Sequence, residues 1–174
     1  MARRELTPGE EMRAVHHLIY EVTSAGAMCG WTRHFEQVGP AEVKNACLES
    51  ALVHLRLLIE FVHGRGEPAR WHDDTDLSPT HFVSDWHRQA DFKDDLALAD
   101  RHLVHLSLER AEEDPPQGWT LWDLTDRVLS EVQRFADEAE LQRNKYAHSL
   151  HEAVSLARMR MNWTSDTESP GPSS

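Results

Sequence analysis

Cysteine is scarce: Cys29 and Cys47 are the only two in 174 residues. Two thiols cannot build a disulfide framework, and their separation lacks the spacing of a zinc site. Both project toward apolar faces of predicted helices, so buried, reduced thiols are the simplest reading. Long apolar runs are missing as well. None reaches the roughly 18 residues that a membrane span needs. The opening Met1-Ala2-Arg3-Arg4-Glu5-Leu6 lacks the apolar stretch of a signal peptide. The expectation is a cytoplasmic protein with no membrane contact. Positive charge is short: 18 Lys and Arg stand against 30 Asp and Glu, a formal net charge of −12. That balance weighs against indiscriminate binding to nucleic acid or anionic lipid, and DNA is not expected as a partner. Strand alternation, a glycine-rich phosphate loop, internal repeats and a heptad array are all absent, which removes the β and nucleotide-binding fold classes.

What is present is helical periodicity. Thr7, Pro8 and Glu10 form a helix start with a capping box. Met12, Val15, Leu18, Ile19, Val22 and Cys29 follow on one stripe, with His17 and Glu21 facing away. Gly30 is the expected stop, and Trp31–Gly39 the expected connection. Pro40–His63 is apolar nearly all round, which predicts a buried central helix. Ser50 and His54 fall inside its apolar arc, and each needs a hydrogen-bond partner if buried. Gly64 and Gly66 end it, and a polar loop runs from about Arg65 to Pro79. A short helix is expected from Ser78-Pro79 through Trp86, and a third long helix over Asp91–Glu113, stopped by Pro115-Pro116 and Gly118. From Thr120 one apolar phase runs through Leu121, Val128, Val132 and Phe135, then on through Tyr146, Leu150, Ala157 and Met161. A single helix of that length would be on the order of 60 Å long, so a break is expected around Asp137–Gln142, although neither Gly nor Pro marks it. Thr164–Ser174 reads as a disordered tail. The class is all-α: one four- to five-helix bundle over residues 1–163, with the tail at 164–174. The excess length of the Leu121–Met161 stripe predicts a homodimer with that helix at the interface.

Arg143-Asn144-Lys145-Tyr146-Ala147-His148 is an arginine, an adjacent polar residue and a histidine five positions after the arginine. The surrounding stretch, Leu141–Trp163, sets Arg143, Lys145, Arg158 and Arg160 against Glu152 alone, so RNA contact is easiest there. The motif resembles the ribonuclease motif of the HEPN superfamily of helical bundles. The resemblance implies a HEPN-like fold and metal-independent RNA cleavage of the toxin or RNA-processing type. It also implies that arginine and histidine from two protomers meet at a dimer cleft. In that reading Arg143, Asn144 and His148 are the catalytic candidates. A histidine can take the proton of a ribose 2′-hydroxyl, an arginine can grip a phosphate with two donors, and Asn144 could orient the imidazole. On an unbroken helix Arg143 and His148 would stand about 140° apart, with Arg143 on the apolar stripe.

A longer resemblance covers roughly residues 40 to 136. It is carried by Asn45-Ala46-Cys47-Leu48-Glu49-Ser50 through His54-Leu55-Arg56-Leu57-Leu58-Ile59, by Asp73-Asp74, by Asp100-Arg101-His102-Leu103-Val104-His105-Leu106-Ser107 with Arg110, and by Gly118-Trp119. These stretches resemble a group of uncharacterised bacterial helical proteins, loosely HEPN-like. That group has an Asn–Leu-Glu-Ser–His–Arg helix and a later Asn-Lys–His-Leu-Thr segment. Here Asp100-Arg101 replaces Asn-Lys, and Ser107 replaces Thr. This alternative site comprises Glu49, His54, Arg56, Arg101, His105 and Arg110. An internal polar network that fixes helix register is the competing account of the same residues. Twelve histidines raise the question of a metal, with His54, His102, His105, His148 and His151 as the available ligands, but no His-Glu-x-x-His or carboxylate-histidine pair occurs at ligand spacing, so neither a metal nor another cofactor is expected. The rival to a nuclease is a non-enzymatic bundle that binds a protein or small ligand. Trp31, Trp71, Trp86 and Trp119, near predicted helix ends, favour an interface.

Overall fold

A computed structural model describes residues 5–63, 77–104 and 120–162. Among them are five α-helices and no strand: α1 (Pro8–Val38), α2 (Ala41–His63), α3 (Lys93–Val104), α4 (Leu121–Leu141) and α5 (Ala147–Met161). The all-α bundle is therefore as expected. The Gly64/Gly66 stop, the body of the 65–79 loop, the third helix beyond Val104, the Pro115–Gly118 stop and the 164–174 tail lie outside the described residues.

The start of α1 is the anticipated capping box. Thr7 Oγ1 accepts the Glu10 N–H at 3.3 Å, and the Glu10 carboxylate accepts the Thr7 N–H at 2.9 Å. Its end is not at Gly30. The helix runs on to Val38 and turns at Gly39, so the Trp31–Gly39 connection is helical, with Trp31 stacked on Phe35 at 5.4 Å. Gly30 serves close approach instead. A Cβ on Gly26 would stand 2.3 Å from the carbonyl oxygen of Ala157, and one on Gly30 2.3 Å from that of Arg160. The two glycines let the backbones of α1 and α5 touch. The helix α1 thus packs against α2, α4 and α5.

The helix α2 packs against α1, α3 and α4, but the burial expected around it is a second correction. Ala51, Leu52, Leu55, Leu58, Ile59, Phe61 and Val62 are buried, but Val43, Val53 and Leu57 are 38, 45 and 45 % exposed. Apolar character all round did not bring burial all round.

The Ser78–Trp86 helix reduces to one 3₁₀ turn, Pro79–His81. The segment after it lies across the bundle end, where Trp86 is buried and donates its indole N–H to the Val62 carbonyl at 2.8 Å. Trp86 therefore belongs to the core rather than to an interface. Phe135 sits at the centre of this end, with Phe61 and Trp86 edge-on to it, each at 5.3 Å.

The long stripe from Leu121 to Met161 belongs to two helices. Thr120 caps α4, its Oγ1 accepting the Asp123 N–H at 3.0 Å. The α4 stripe is buried at Leu124, Val128, Leu129, Val132, Phe135 and Ala136. The α5 stripe is buried at Leu150, Ala153, Val154, Ala157 and Met161. Both faces are satisfied within one chain, so the length of the stripe no longer argues for an α4 interface.

Candidate functional site

The helix α4 ends at Leu141, inside the Asp137–Gln142 window where a break was expected, and the connection to α5 occupies residues 142–146. Its geometry explains why no glycine announced it. The Arg143 N–H donates to the Glu140 carbonyl at 2.8 Å, and the Asn144 N–H to the Ala139 carbonyl at 2.8 Å. This crossed pair closes a helix in a Schellman motif, whose left-handed residue is usually glycine. Here that residue is Arg143, with φ 57°, the one positive-φ residue other than glycine among the described residues. Asn144 then turns the chain into α5. Its Oδ1 accepts the Tyr146 N–H at 2.9 Å, and its carbonyl accepts the Ala147 N–H at 3.2 Å.

Arg143 is therefore not on a helical stripe but exposed on a turn, so the 140° separation expected on a continuous helix does not apply. His148 follows on the first turn of α5, 84 % exposed, with Nε2 3.4 Å from the Glu152 carboxylate. The Asn144 amide oxygen is turned to the backbone of Tyr146. Lys145 sits between the pair. Its ammonium lies 3.1 Å from the Glu11 carboxylate and 4.7 Å above the Tyr146 ring. Bonding to Tyr146, then to Glu11, holds its pKa above the ordinary lysine value. The tip thus presents an arginine, a lysine and a histidine to solvent, with the turn fixed by backbone bonds.

The alternative site is arranged differently. Glu49 is exposed on α2. The Arg56 Nε donates to Glu60 at 2.9 Å, one turn along the same helix. His54 faces α1, with Nδ1 2.6 Å from Glu21 Oε2 and the side chains 13 and 20 % exposed. A carboxylate only accepts, so Nδ1 carries the proton. Tyr20 stands edge-on to the imidazole at 5.6 Å. His54 is hydrogen-bonded and largely buried, as its place in the apolar arc required. Glu21, expected to face away, is its partner. The side chain of Arg101, on α3, is not described, and His105 and Arg110 lie outside the described residues, as do Trp71 and Trp119.

A polar network that the sequence did not signal ties α4 to the segment before α3. Glu131 is buried and accepts the Gln89 N–H at 2.8 Å and a guanidinium N–H of Arg134 at 2.5 Å. Arg134 also bonds Glu138 and lies 3.9 Å above the Trp86 ring. Nearer the tip, His151 is set among Gln133, Asp137 and Glu140, with Nε2 3.2 Å from the Glu140 carboxylate. Cys29 is buried and Cys47 half-buried, both free. Burial pushes the Cys29 thiol up, against smaller opposing effects of Thr125 and Arg33, and burial also raises Cys47. Among the described residues no group of three His, Cys, Asp or Glu is placed to hold a metal ion, and no helix is long and apolar enough to cross a membrane. Comparison with protein-family models, curated proteins and solved structures finds no match.

Proposed function

We propose that this protein is a metal-independent, HEPN-type endoribonuclease working from the Arg143–His148 turn, with RNA as substrate. The observation that carries the reading is the left-handed arginine. Glycine would hold the same turn at about 1 kcal/mol less strain, and the Arg143 side chain is exposed. Strain kept at an exposed position points to a role for the side chain itself. In this mechanism Arg143 grips the scissile phosphate. His148 takes the 2′-hydroxyl proton as the O2′–P bond forms, and the P–O5′ bond breaks, with water protonating the leaving oxygen. Lys145 adds positive charge beside the phosphate. The formal net charge of −12 weighs against RNA contact over most of the chain.

The test is incubation of the purified protein with RNA in excess chelator. The expected products carry 2′,3′-cyclic phosphate ends, and His148→Ala lowers the rate by orders of magnitude with the fold intact, since the side chain is exposed. If the wild type leaves RNA uncut, the reading falls. The rival, a bundle that binds another protein, draws on a different surface, the exposed apolar residues of α1 and α2.

A further inference from the structure

The tip carries two permanent positive charges, and they stand differently. Arg143 holds no ion pair among the described residues. Lys145 is engaged twice, 3.1 Å from the Glu11 carboxylate and 4.7 Å above the Tyr146 ring. Its pKa is raised by Tyr146 first and by Glu11 second. The two side chains of the ion pair are sheltered unequally, Glu11 at 25 % exposed and Lys145 at 60 %. The carboxylate is thus largely covered, while the ammonium keeps an open side. Glu11 is also anchored on a different helix. It lies in the first turn of α1, its N–H bonded to the Thr7 carbonyl at 2.9 Å, where the helix dipole favours an acid.

We propose that Glu11 occupies the place of a substrate phosphate on Lys145, and that RNA enters the tip by displacing this carboxylate. The contact regulates the nuclease site, and the proposal rests on that reading of it. Carboxylate and phosphodiester are both anionic oxygen acceptors, and they compete for the same ammonium protons. An ion pair between exposed side chains is weak. A phosphate gripped by Arg143, two residues from Lys145, is therefore able to replace it. Until that happens, the contact cancels one of the two permanent charges in a chain of net charge −12. An anion that cannot reach both Arg143 and Lys145 meets a tip of half the charge.

The test measures binding of a 2′-O-methyl oligonucleotide, which has no free 2′-hydroxyl to attack, beside cleavage of unmodified RNA. Glu11→Gln keeps the size of the side chain and frees the ammonium. It is expected to tighten binding about fivefold and to steepen the dependence of log K on log salt by about 0.7, the increment of one phosphate contact on a single strand. In a Lys145→Ala background, Glu11→Gln is expected to change nothing. Unchanged binding by Glu11→Gln overturns the proposal. So does a tightening that persists without Lys145, because Glu11 would then act by its charge alone. If Glu11→Gln tightens binding through Lys145 while unmodified RNA stays intact, the displaced ion pair stands and the nuclease reading falls. If RNA is cut and Glu11→Gln binds as the wild type does, the reverse holds.

Discussion

At Glu21 and His54 a single hydrogen bond joins α1 to α2. His54→Leu removes the donor and leaves the Glu21 carboxylate, 20 % exposed, without it, at an expected cost of about 1–2 kcal/mol. His54→Asp sets a second carboxylate against Glu21 and is expected to cost about 3 kcal/mol or more. Urea unfolding of the two variants checks the order, and equal costs would mean that the pairing does not hold the helices. The demand for a partner at His54 was legible, because a polar residue in an apolar arc must be satisfied. Its partner was not. Glu21 lies 33 positions away on the flank of another helix, and no periodicity distinguishes a flank that meets a neighbour from one that meets water.

At the scale of elements, the helix starts were legible because they are local. Thr7 with Glu10, and Thr120 ahead of α4, carry their own hydrogen-bonding chemistry. The ends were less so. A glycine in a helical pattern can stop a helix or admit a neighbouring backbone, and Gly30 is decided by Arg160, which is far away in sequence. The end of α4 was legible only from the excess length of its stripe, since Arg143 occupies the position where a glycine would have marked it. The close crossing of α1 and α5 gives a direct expectation. Gly26→Ala and Gly30→Ala each drive a Cβ into backbone 2.3 Å away, where no side chain can yield, and each should destabilise by about 3 kcal/mol or more. Gly9→Ala, which meets only the flexible end of Arg13 at 3.6 Å, should be neutral or slightly stabilising. Thermal unfolding midpoints separate the two outcomes.

For the whole molecule, the bundle class followed from periodicity alone, whereas the exposed face of α2 did not. A helix apolar on every side gives no indication of which side its own chain covers. The Glu11–Lys145 ion pair sets the tip about ten residues of α1 away from the Glu21–His54 pair, near the C-terminal end of α2. Mixing inactive Arg143→Ala with inactive His148→Ala asks whether one site takes residues from two chains. The HEPN-type reading expects cleavage to return in the mixture, and no return would mean that each tip acts alone.

The most direct test of the central claim is Arg143→Gly, assayed for RNA cleavage in chelator alongside its unfolding midpoint. Glycine relieves the left-handed strain, so the variant should unfold at the same temperature as the wild type or higher. It lacks the guanidinium, so cleavage should fall by orders of magnitude. A variant that is equally stable and cuts RNA at the wild-type rate would contradict the account, because the arginine would then have no role that glycine does not fill.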